Sequence, residues 1–211
     1  DGDTIKLEDG TKVRLLGINA PERGEFYYEE AKDFLQYFLK GKNISLERDT
    51  FDKDEYGRLL RYILADNENV NLILVKNGYA HTFELQKITK YKNELLDAEK
   101  YAMSNELGIW RRSNYYGCIV LKELKQSGDE YIEFQNVCNI SINLKKWSLD
   151  DESHNRFLFP EYFLNYNKTV TVYTNKNEKF SFKKSYQIFN REGDSIFLRD
   201  ENGLLVLFYR Y

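Results

Sequence analysis

Three observations predict an α+β domain followed by an all-β sandwich. Strand-like alternation and helix-like three- and four-residue spacing of apolar residues take turns over the first half; only short strand-like runs follow it; and between them RRSNYYG, residues 111–117, carries neither period. A chain of 211 residues suits two domains of about 100 residues each, drawn here as 1–112 and 117–211.

The elements follow in order. TIKLE (4–8) and TKVRLLGI (11–18) flank Asp9-Gly10, a dipeptide that accepts the positive φ of a tight turn, and so predict a hairpin. Ala31, Phe34, Leu35, Phe38 and Leu39 recur on one helical face before Gly41, which predicts a helix over 29–40. NISLER (43–48) and RLLRYILA (58–65) are rich in strand formers, with a polar loop between them. Residues 69–77, stopped by Gly78, and 90–106, stopped by Gly108, complete the half as two more helices. In the second half CIVLKEL, EYIEFQN, ISINLKKWSL, KTVTVYT, KFSFK, SIFLRD and LLVLFYRY are expected as strands, with Glu201-Asn202-Gly203 turning the last hairpin.

Hydrophobic residues at 42% and aromatics at 16% supply enough apolar surface for two packed cores. No stretch reaches the length of about 18 apolar residues that a membrane helix needs. Residues 1–113 hold 18 Lys and Arg against 21 Asp and Glu, and residues 114–211 hold 13 of each, so neither half is a strongly basic polyanion binder. That balance leaves room for an enzyme that meets one phosphate at a time. Two cysteines, Cys118 and Cys138, are too few for a disulfide framework or a zinc site; the plain reading is two buried thiols, with one disulfide as the alternative.

Three motifs carry candidate chemistry: DGDT (1–4), RLLGINAPE (14–22) and DEYGR (54–58). Asp3 offers hard oxygen to a cation, although a lone Asp in such a place more often only satisfies a turn. Arg14 interrupts the apolar run Val13, Leu15, Leu16, and an arginine there costs burial unless an anion receives it. Arg58 is a second guanidinium fork suited to phosphate, and Glu22, after Pro21, is a loop carboxylate that by itself would be an ordinary surface group.

Taken together, these motifs, their strand and helix order and a closing GIW at 108–110 resemble the staphylococcal-nuclease (thermonuclease) family over residues 1–112. The resemblance implies a five-stranded OB-like barrel with helices and hydrolysis of phosphodiester bonds in DNA or RNA, with Ca²⁺ as cofactor and 3′-phosphate products. It further implies Arg14 and Arg58 as phosphate-gripping catalytic arginines, Glu22 as the base or orienter of the attacking water, and Asp3, residue 19 and the main-chain carbonyl of Ala20 as metal ligands. Tyr56 is the implied substrate-binding residue, set against a half-buried tyrosine of the sheet. Two departures stand out. Asn19 replaces the family's usual Asp and removes one ligand charge. The family's first strand precedes DGDT, so this barrel is expected to lack one strand unless residues upstream of Asp1 supply it.

EYIEFQN, LKKWSLDD (144–151) and REGDSIFLRDENG (191–203) more loosely resemble a lamin-tail domain, which implies an immunoglobulin-like sandwich with Trp147 in its core. Lys168, Lys176, Lys179, Lys183 and Lys184 face only Glu178 in their stretch; a solvated face is the ordinary reading, and weak docking of nucleic-acid backbone the functional one. The expected location is outside the cytoplasm, secreted or in the cell envelope. A nuclease-like binding module without catalysis and a surface adhesion protein remain as rival functions.

Overall fold

The computed structural model describes residues 1–84 and 87–211, which form two compact units, Asp1–Arg111 and Arg112–Tyr211. In the first, β1 (Thr4–Lys6) and β2 (Lys12–Leu15) make the expected hairpin in the register Thr4↔Arg14, Ile5↔Val13, Lys6↔Lys12. Gly10 takes φ +90° and the Asp9 carboxylate accepts the Thr11 amide, which is how this dipeptide closes a turn. Beyond the hairpin β2 lies parallel to β5 (Leu59–Ala65), which also pairs β4 (Ile44–Glu47) and the short β6 (Glu68–Asn69) antiparallel. The result is a five-stranded sheet of order β1-β2-β5-β4 with β6 on β5, open between β1 and β4 among the described residues.

Three helices cover it: α1 (Tyr28–Leu39), α2 (Val70–Lys76) and α3 (Lys92–Ser104). The α1 stripe places Ala31 and Leu35 in the core with Leu15, Ile18, Ile63, Leu74 and Leu95, each large aliphatic contributing about 2 kcal/mol by burial. Asn71 is a fully buried polar residue beside this core. Its amide donates to the Leu16 carbonyl and its Oδ1 accepts the Ile63 amide, tying α2 to the sheet with no polar group left over. A 3-10 turn, Gly108–Trp110, closes the unit against Gly78. A Cβ on Gly78 would lie 2.1 Å from the Leu107 carbonyl oxygen, so only glycine permits the approach.

Two small strands place the site. β3 (Ile18–Asn19) pairs β7 (His81–Thr82), which holds Asn19 opposite His81. Gly2 lies between α1 and Ala20: a Cβ there would come within 2.8 Å of the Ala31 Cβ and 2.9 Å of the Ala20 Cβ. The glycine of DGDT therefore lets Asp3 lie against the loop that follows β3.

The second unit stacks two antiparallel sheets. One has the order β12 (Arg156–Leu158), β11 (Ser148–Asp151), β15 (Ser195–Arg199), β16 (Leu205–Arg210), and the other β14 (Thr169–Tyr173), β9 (Tyr131–Asn136), β8 (Ile119–Lys125). The short β10 (Ile142–Asn143) and β13 (Phe163–Leu164) pair separately. Both sheets send side chains into one core around Trp147, Phe134 and Phe189, as the expected immunoglobulin-like sandwich requires. Trp147 is buried and its indole N–H donates to Glu201 at 3.0 Å.

Three details correct the sequence reading. ISINLKKWSL is two strands, because Asn143 accepts the Lys145 amide and Lys146 takes φ +65°, which turns the chain between β10 and β11. KFSFK pairs only as a single bridge, Tyr173 with Ser181. Cys118 and Cys138 are joined as a disulfide, not kept as thiols: they stand at the start of β8 and just past β9, and strand pairing brings their Cα atoms to 5.0 Å.

Candidate active site

Arg14 is the centre of the predicted site. Although its strand leads into the core, its guanidinium has four oxygen acceptors. Nη1 donates to the carbonyls of Leu15 and Ile18 at 2.8 Å each, and Nη2 donates to Asn19 Oδ1 at 2.6 Å and stands 3.3 Å from Asp3 Oδ2. The pair is almost closed to solvent, with 11% of the Arg14 side chain and 3% of the Asp3 side chain exposed. Asp3 is itself fixed by the Ala20 amide, which donates to Oδ2 at 2.8 Å, and by the Thr4 hydroxyl, which donates to Oδ1 at 3.1 Å.

Thr4 links the two arginines. Arg58 Nη1 points at Thr4 Oγ1 across 3.5 Å, while its Nε donates to Asp54 Oδ2 at 2.6 Å. Asp54 also accepts the backbone amides of Tyr56 and Arg58, so the DEYGR turn is built around this carboxylate. Burial alone would raise the pKa of Asp54; the Arg58 guanidinium and these amides hold it below the ordinary value. Thr4 and Asp54 are positions that the sequence reading passed over, although an Asp heading a tight turn four residues before a key Arg is a legible signal. Tyr56 is 76% exposed, with its ring 5.5 Å from the Arg58 guanidinium carbon, and so is not the half-buried sheet tyrosine of the alternative reading. Glu22 follows the buried Ala20 and Pro21 into an exposed loop. Its amide donates to Glu25, and among the described residues its carboxylate makes no hydrogen bond to the arginine network.

Asp3, Arg14, Asn19, Ala20 and Arg58 thus share one polar network; Tyr56 touches it through Arg58, and Glu22 makes no hydrogen bond with it among the described residues. The motif order of that network decides the kinship. A family model described as staphylococcal nuclease homologue matches residues 12–112, and one described as lamin tail domain matches residues 113–211. A thermonuclease of Staphylococcus intermedius is 35% identical over 121 residues, covering 53% of this chain and 72% of the relative. The chain belongs to the staphylococcal nuclease family. With that it is a nuclease, a phosphodiester hydrolase. Similar too are a thermonuclease of Staphylococcus hyicus, 34% identical over 52% of this chain and 70% of its own, and endonuclease YncB of Bacillus subtilis, 35% identical over 54% and 60%.

Staphylococcal nuclease relatives as a class work with a metal ion, and the donor set here suits a hard cation. Asp3 and Asn19 oxygens converge on a single nitrogen of Arg14, at 3.3 and 2.6 Å. Among the described residues no three His, Cys, Asp or Glu side chains cluster as a metal cage. Around Arg14 Nη2 the oxygens are one carboxylate, Asp3, and one amide, Asn19, and calcium affinity falls as ligand charge is lost.

In the second unit the lysine stretch is less free than its sequence suggests. Lys176 pairs with Asp129 at 3.0 Å and lies 4.6 Å over the Tyr173 ring, while Lys179 lies over Tyr162 and Phe180, and Lys184 over Tyr186. Lys168 and Lys183 complete the stretch. Each of the three placed ammonium groups therefore sits beside an aromatic face.

Proposed function

We propose that the first unit cleaves DNA or RNA in a Ca²⁺-dependent reaction that leaves 3′-phosphate ends. The observation that supports this reading is the continuous network from Asp54 through Arg58, Thr4 and Asp3 to Arg14 and Asn19. Asp3, Asn19 Oδ1 and the Ala20 carbonyl would hold the ion. Bound there, Ca²⁺ would lower the pKa of a water and take up phosphate charge. Glu22, in its exposed loop, receives the proton of the water that attacks in line. Arg58, aimed by Asp54, donates to the phosphate oxygens, and these bonds strengthen as charge grows on them. Arg14 exchanges its Nη2 contacts with Asp3 and Asn19 for a phosphate oxygen. As the water oxygen bonds to phosphorus the bond to the 5′ oxygen breaks, that oxygen takes a proton from solvent water, and the exposed Tyr56 ring supports the base or phosphate beside it.

Labelled DNA and RNA incubated with Ca²⁺, Mg²⁺ or chelator test the reading. Cleavage in Ca²⁺ that chelator abolishes, with 3′-phosphate ends, supports it; cleavage indifferent to chelator, or 5′-phosphate ends, overturns it. The second reading, a catalytically impaired binding module, is favoured by Asn19, and binding without cleavage in any metal would establish it.

The second unit, in this reading, docks nucleic-acid backbone weakly through Lys168, Lys176, Lys179, Lys183 and Lys184. The Cys118–Cys138 disulfide supports a secreted or cell-envelope location, since such bonds persist in oxidising compartments. No helix among the described residues is long and apolar enough to cross a membrane.

A further inference from the structure

A small cleft in the second unit is built from polar groups and opens beside an exposed aromatic ring. Its volume of about 150 Å³ is half or less of what a drug-sized ligand takes, about 300 Å³ or more, and suits a single planar ring. Glu130 lines it and is 3% exposed. The Glu130 carboxylate accepts the Thr174 hydroxyl and the backbone amides of Ile188 and Phe189, which pins the wall formed by Ser185, Tyr186 and Gln187 against the start of β9. The cleft is therefore held open by a buried carboxylate rather than by a loose loop.

Asn175, Ser185 and Gln187 line it with amide and hydroxyl groups that donate and accept hydrogen bonds. Tyr186 is 54% exposed, and its hydroxyl donates to Asn155 Oδ1 at 3.1 Å, which fixes the ring without burying it. Lys184 Nζ lies 5.6 Å from the centroid of that ring, while Lys176, also in the lining, is paired with Asp129 beside it at 3.0 Å. Edge-reading amides, an open aromatic face and nearby ammonium groups are the parts that single-stranded nucleic acid uses: bases stack on the ring, their edges bond to the amides and the phosphates meet the cations. A duplex keeps its bases stacked and paired, and offers nothing to such a cleft.

We propose that this cleft receives one unpaired base of single-stranded nucleic acid, stacked on Tyr186, with its edge on Asn175, Ser185 and Gln187 and a neighbouring phosphate on Lys184. The inference rests on the reading of the second unit as a nucleic-acid dock, and gives that dock a strand preference. Fluorescence anisotropy of the full chain with a short labelled oligothymidylate, and with a duplex of the same length, tests it in chelator so that nothing is cut. Tyr186→Ala should weaken single-strand binding about tenfold or more and leave duplex binding unchanged. Tyr186→Phe should bind as the parent does, because it keeps the ring and loses only the bond to Asn155. Lys184→Gln should lower the salt slope for the single strand by about 0.7. Parent-like binding by Tyr186→Ala, equal losses on single strand and duplex, or an unchanged salt slope in Lys184→Gln each overturn the proposal. Dinucleotide cleavage by the unaltered chain in Ca²⁺, measured alongside, reports separately on the nuclease reading.

Discussion

Changing Asn19 to Asp returns a charge to the donor set, and its effect can be worked from the structure. Asn19 Oδ1 and Asp3 Oδ2 both lie on Arg14 Nη2, at 2.6 and 3.3 Å, so they are at most about 6 Å apart. At the dielectric constant of water, a unit negative charge about 2.4 Å from a divalent ion gains about 3.5 kcal/mol. Repulsion from Asp3 across about 6 Å takes back roughly 0.7 kcal/mol, and the amide oxygen being replaced already supplied part of the attraction. The remainder, about 1.4 to 2.8 kcal/mol, is a 10- to 100-fold gain in Ca²⁺ affinity. Titration calorimetry of parent and Asn19→Asp measures it directly. Unchanged or weaker affinity would refute the placement of Asn19 among the ligands, and the reasoning with it.

Glu22→Gln and Arg58→Ala should each lower turnover at least about 100-fold with an unchanged circular dichroism spectrum; parent-like turnover in either removes its assigned role. Gly2→Ala puts a Cβ 2.8 Å from that of Ala31 and 2.9 Å from that of Ala20, so the Asp3 backbone must shift, and activity should fall about tenfold or more in steady-state assays. Burial alone would raise the pKa of Asp49, but the Thr89 hydroxyl, the Lys90 and Thr89 amides and the Tyr62 hydroxyl hold it well below the ordinary range. A depressed carboxyl stabilises the fold fully above about pH 4 and loses that contribution below it, so urea midpoints of Asp49→Asn should show a cost of about 2 kcal/mol near neutrality that shrinks in acid. Glu152 runs the other way: burial first, then the Asp194 charge, push it up to about 7 from 4.5. Amide exchange of β11 and β15 should therefore slow as the pH falls through that interval, and Glu152→Gln should flatten the response.

How far residue patterns reached depends on how local the governing interaction is. The first hairpin was legible because Asp9-Gly10 supplies its own turn, and α1 because its apolar stripe stands four residues apart at Ala31 and Leu35. The charged members of the site were legible as motifs, yet their connection was not: Thr4 joins Asp3 to Arg58 across 54 positions, a contact that only the folded sheet creates. Lys146 gave no turn signal, since lysine rarely takes the positive φ it has here, and so two strands read as one. The cysteine pairing was undecidable for the same reason, because the distance between Cys118 and Cys138 is set by strand register.

That bond also makes the two units unequal before a reductant. It closes a loop across 20 positions containing the whole β8–β9 hairpin, and opening a loop of this size releases unfolded-chain entropy worth about 3 kcal/mol. The unfolded fraction of the sandwich would then rise on the order of 100-fold. The first unit contains no cysteine. Moved into a reducing medium, the chain would therefore lose stability in its second unit, where both cysteines lie.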